Sequence, residues 1–156
     1  MMQSACIAVA MVTFAIECAA APAFFTESKA GDFTTGQKLV RCAAYYDFTS
    51  GFAASIGKPA AAEHFGNLSR GWTLAGMLLL SSGTDSPKFD SKQTAESIKA
   101  ARLAHLKAKF ELGDADVMNE MQAEHKRDCD PLIPLQENVI QALRQGPQAS
   151  PPRKKK

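Results

Sequence analysis

Met118, Met121, His125 and Cys129 are separated by steps of three, four and four residues. On an α-helix those steps place all four side chains on one face. Two thioethers, an imidazole and a thiolate are soft donors, a set suited to Cu(I). The same residue types also serve as ordinary core: methionine fills irregular gaps, and cysteine is among the most buried side chains. Cys129 decides between the two uses, because a sulfur committed to a disulfide cannot offer a thiolate.

The cysteines settle that expectation by parity. The chain holds four, Cys6, Cys18, Cys42 and Cys129. Ala5 to Ile16 carries no charge. It is too short to span a bilayer and has the length of a signal-peptide apolar stretch. Small residues follow it, so residues 1–23 read as a signal peptide, with cleavage after Ala20 or Ala23. Met1 to Ser4 lack the usual Lys or Arg. Glu17 before Cys18 argues against a lipidated cysteine, which needs a small residue in front. Removing the leader leaves Cys42 and Cys129, an even pair in an exported chain, which predicts a disulfide. Closing so long a loop is worth about 4 to 5 kcal/mol in a chain-entropy account. That is comparable to the net stability of a small domain. With Cys129 bridged, Met118, Met121 and His125 remain as the donor set of a copper-binding alternative; the leading expectation is no cofactor.

Other chemistry has thinner support. His64, His105 and His125 are far apart in the chain, and no C-x-x-C-H haem attachment or Glu-x-x-His di-iron element is present. Ser55 and Lys58 match an S-x-x-K pattern, but the S-D-N and K-T-G elements that such enzymes need are absent. Asn67-Leu68-Ser69 is a glycosylation sequon inside an expected helix, without meaning in a bacterial protein. An enzyme would have to assemble its site from scattered groups such as Tyr45, Asp47, Glu63 and His64.

The elements that position these residues are helices throughout; no stretch alternates apolar and polar residues long enough to make a strand. Thr34 and Gln37 have capping-box spacing, which predicts a first helix from Thr34 to about Ile56. Leu39, Cys42, Tyr46 and Ala53 lie on its inner side. Gly57 and Pro59 separate it from a second helix, Pro59 to about Leu80, striped by Phe65, Leu68, Trp72, Ala75 and Leu79. Asp90 and Gln93 repeat the capping spacing before a third helix to about Leu112, with Ala95, Ile98, Leu103, Leu106 and Phe110 inward. Asp114 or Asp116 caps a fourth, which Pro131 stops near Cys129. Pro134 to Gln145 makes a short fifth helix with Leu135, Val139 and Leu143 on one side. The expected fold is an all-α antiparallel bundle of four main helices plus a short terminal one, residues 24–146, stapled by Cys42–Cys129. Trp72, Leu68, Phe65, Leu106, Phe110 and Tyr46 are the expected core.

The chain has 156 residues, 46% hydrophobic and 22% charged, with formal net charge +2. Those values suit one globular domain. Residues 24 to 150 are nearly neutral, so the body lacks the clustered basic face of a nucleic-acid binder. Residues 147–156 read as a disordered basic tail. Its Arg153, Lys154, Lys155 and Lys156 are candidates for contact with anionic lipid or an acidic partner. Size, export and the absence of catalytic motifs point to a periplasmic or secreted bacterial protein. It would be a non-enzymatic binding or stress protein, chaperone-like by analogy of type, acting on another protein or a lipid-like ligand. Once the leader is removed, no segment is expected to span a membrane.

Overall fold

A computed structural model describes residues 28–113 and 115–145. The expected signal peptide, the Asp114 cap and the basic tail lie outside the described residues. Five helices follow in order: α1 (Lys29–Ser55), α2 (Pro59–Ser82), α3 (Ser91–Glu111), α4 (Ala115–Cys129) and α5 (Ile133–Gln145). A short 3-10 turn, Asp130–Leu132, joins the last two. None of the described residues is in a strand. Among them no helix is long and apolar enough to cross a membrane.

The first helix starts earlier than Thr34. Ser28 is its cap, accepting from the Gly31 backbone N–H at 3.1 Å. Asp32 sits in the first turn, where a carboxylate opposes the positive end of the helix dipole. Thr34 lies inside the helix and donates its hydroxyl back to the Ala30 carbonyl at 2.9 Å. The expected Asp90 cap is present: its carboxylate accepts from Gln93 N–H at 2.9 Å. Asp116 falls within the first turn of α4 and not at its cap. Gly57 and Gly113 close α1 and α3 with φ of 71° and 75°, in the left-handed region that favours glycine.

Contacts along the helices give the topology. Phe33 meets Gly83, Gly36 meets Leu80, Val40 meets Gly76, and Ser50 donates to the Ala62 carbonyl, so α2 runs antiparallel to α1. Phe33 packs on Phe89, Asp47 pairs with Lys99, and Phe52 packs on Phe110, so α3 runs back parallel to α1. Cys42 is bonded to Cys129 and Tyr45 stacks on His125, so α4 is antiparallel to α1. Within the bundle, α1 and α2 approach very closely. A Cβ built on Gly76 would lie 2.6 Å from Val40 Cγ2, and one on Gly36 would lie 2.8 Å from Leu80 N. Gly83 is there for the same reason, since its Cβ would meet Phe33 N at 2.5 Å.

Leu39, Cys42, Ala43, Trp72, Ala75, Leu79, Cys129 and Val139 form one buried cluster, with Tyr46, Leu68 and Leu135 packed against it. Trp72 alone buries enough ring surface to be worth about 4 to 6 kcal/mol before entropy. Leu106 is fully buried with Phe48 and Met121 in a second cluster. Two expectations need correction. Phe65, Leu68 and Tyr46 are half-buried: Tyr46 and Phe65 border the groove described below, and Leu68 packs against the core from its edge. Phe110 is 37% exposed: it sits in the last turn of α3 and packs edge-on against Phe48 and Phe52 from outside. Leu143 is 44% exposed, one turn past Val139, the buried residue of α5.

Candidate functional site

Cys42 and Cys129 form the expected bridge, with Cα atoms 5.8 Å apart across 87 positions. It fixes the end of α4 to the middle of α1. Preceding residues on α4 must therefore face α1 at helical spacing. His125, one turn before Cys129, lies over Tyr45 with ring centroids 3.9 Å apart and planes 10° from parallel. Tyr46 meets the same imidazole edge-on at 4.9 Å. Met121, one turn earlier again, is fully buried, and Met118 is 36% exposed.

The Tyr45–His125 stack is a wall between two cavities. On one side is a groove of about 530 Å³ lined mainly by Tyr46, Phe52, Phe65, Met118 and Met121, with Lys126 and Asp130 among its polar groups. On the other is a cleft of about 410 Å³, whose lining includes the disulfide itself. Its cations are Lys38, Arg41, Arg102 and Arg127; its carboxylates are Glu124 and Asp128. Arg102 pairs with Glu124 at 2.7 Å, and Lys109 approaches the same carboxylate at 3.8 Å. Arg127 donates to its neighbour Asp128 at 2.8 Å. That bond is the main reason the Asp128 carboxyl is held below its ordinary value.

The wall has shifted acid–base properties. Burial pushes His125 below the ordinary histidine value; Arg102 works in the same direction, and Asp130 and Asp128 oppose it. Burial raises both Tyr45 and Tyr46, with Asp130 adding to the shift at Tyr46. His125 Nδ1 is buried and has no hydrogen-bond partner. Burial thus favours the neutral imidazole.

The four residues of the soft-donor pattern do share one face. Cys129, however, is in the disulfide, and Met118, Met121 and His125 line the same groove. Among the described residues no group of three or more His, Cys, Asp and Glu gathers to hold a metal. The scattered catalytic set is not brought into one cleft: Tyr45 is stacked on His125, Asp47 is paired with Lys99 at 2.9 Å, and Glu63 and His64 are exposed on α2. Sequence reasoning missed the cation cluster. Lys38 and Arg41, and Arg102 and His105, are spaced i, i+3, a signal that also fits a solvated helix face.

No protein-family model matches the chain, and no curated protein or solved structure matches it.

Proposed function

We propose that this chain is an exported, non-enzymatic binding protein whose ligand is a small amphipathic anion, a lipid-like molecule with an apolar body and an acidic head. One observation carries the reading: the aromatic and methionine groove and the cationic cleft meet at a single wall, Tyr45 against His125. The groove volume is in the range of small-molecule sites. Methionine and aromatic rings adapt to apolar chains without fixing their shape. In the cleft, four cations face two carboxylates, a surplus that favours an anionic head. The disulfide is compatible with an oxidising compartment. Intact-mass analysis of protein from the cell envelope, with and without alkylation, tests export and oxidation together. A retained leader or two free thiols would remove that part.

Binding is tested by titrating an environment-sensitive apolar dye and displacing it with dodecanoate or dodecanol. Saturable dye binding, stronger displacement by dodecanoate, and a loss of about tenfold or more in Met118→Glu are expected. No saturable binding, or equal displacement by the two chains, would sink the reading.

A second reading, Cu(I) binding by Met118, Met121 and His125, has one observation in its favour. The buried Nδ1 of His125 lacks a partner in a groove that both thioethers line. Titrating the disulfide-bonded protein with Cu(I) tests it. Stoichiometric uptake that Met121→Leu weakens is the expected result, and the absence of uptake ends the idea. The basic tail, Arg153 to Lys156, would add a diffuse attraction for anionic surfaces.

A further inference from the structure

We propose that the seam between α1 and α3 is a phosphate-binding site, formed by Lys38 and Arg41 on one helix and Arg102 and His105 on the other. Each pair is spaced i, i+3, so each presents two donors about one helical turn apart. Because α1 and α3 run parallel, the two pairs line opposite sides of one cavity of about 500 Å³. Gln37 adds an amide to its lining, the Thr34 hydroxyl there is turned back onto the Ala30 carbonyl, and no carboxylate among the described residues lines it.

The acids nearby are already engaged. Asp47 pairs with Lys99 on α3, Glu124 with Arg102, and Asp128 with Arg127. Arg102 is the anchor: its side chain is only 15% exposed, and its ion pair with Glu124 of α4 fixes the guanidinium. A guanidinium has five N–H donors, and one carboxylate occupies at most two of them in a bidentate pair. Donors therefore remain for the cavity. Lys38 and Arg41 are exposed and carry no ion pair among the described contacts.

Charge selects the ligand class. Lys38, Arg41 and Arg102 bring three fixed positive charges, and Glu124 offsets one. The remaining two match a phosphate monoester, which carries about −1.5 to −2 at neutral pH. A carboxylate would leave one cation unmatched. Arginine's planar fork also fits phosphate oxygens in pairs. The seam opens onto the cleft, since Lys38, Arg41 and Arg102 line both cavities. The proposal thus deepens the amphipathic-anion reading by naming the head, and rests on that reading only for the apolar body.

The test is a titration of the full, disulfide-bonded protein with inorganic phosphate, against chloride at matched ionic strength, followed by amide shifts and calorimetry. Saturable shifts in α1 and α3 at the seam are expected. Lys38→Gln/Arg41→Gln changes two exposed residues; its fold is checked by circular dichroism, and it should lose about tenfold or more in affinity. Dodecyl phosphate is the second ligand. If it binds more tightly than phosphate and displaces the apolar dye, the source is a lipid head group. If it binds equally and leaves the dye in place, the source is free phosphate, and the amphipathic reading fails while the phosphate site stands. The absence of saturable seam shifts, or unchanged affinity in the double variant, would overturn the proposal.

Discussion

Along α1, the side that meets α2 carries Gly36, Val40 and Ala43, whereas the side that meets α4 carries Arg41, Tyr45 and Phe52. The first side is built from small residues and admits backbone against backbone. The second is built from long and aromatic side chains, which line the groove and the cleft on either side of the Tyr45–His125 stack. Close packing fixes one pair of helices; a covalent bond and ring stacking hold the other. One flank of α1 is thus close-packed, and the opposite flank lines the cavities.

Four changes would break or sharpen that contrast. Replacing both Cys42 and Cys129 with alanine should cost about 2 to 5 kcal/mol, read by urea unfolding. Amide protection should fall first on α4 and α5 and last around Gly36 and Gly76. Uniform loss would mean that the two flanks are not separate. Next, Gly76→Val puts a Cβ 2.6 Å from Val40 Cγ2 and should cost about 3 kcal/mol, with α1–α2 protection lost together with the rest. A silent substitution would remove the close-packed half of the comparison.

The third change concerns acid. Burial keeps His125 below its ordinary 6.5, so the unfolded chain takes up a proton more readily than the fold does. The stability from keeping it neutral is complete above about pH 6.5 and is lost as pH falls from there through the folded value. His125→Phe retains a ring against Tyr45 and cannot be protonated. Its melting temperature should fall less steeply below pH 6.5 than the parent's; parallel curves would show that the wall is not acid-sensitive. The smallest effect is a gain. Nothing lies within 4 Å of a Cβ built on Gly51, so Gly51→Ala should add about 0.5 to 1 kcal/mol by helix propensity.

How much of this was legible depended on sequence separation. The bundle and its disulfide were readable because apolar spacing, capping pairs and cysteine parity are local or countable; Trp72 and Leu106 followed from their stripes. The true start of α1 was hidden, since Lys29, Ala30, Gly31 and Asp32 carry no apolar stripe to announce a helix. Phe110 continued a stripe correctly, but periodicity cannot tell where the partner helix ceases to cover it. The pairing of Gly36 with Gly76 depends on the register between two helices. The Tyr45–His125 stack joins residues 80 positions apart in the chain. The shared face of Met118, Met121 and His125 was visible from their steps, whereas the cations assembled from α1, α3 and α4 resembled solvated surface until those helices were placed together.

The bridge lies in the lining of the cleft and not at a remote corner. Without the bridge, α4 would rest on the Tyr45–His125 stack, on Met121 packed with Phe48 and Leu106, and on the Arg102–Glu124 pair. If the cleft holds the proposed anion, reducing the bridge would loosen one of its walls and lower that affinity.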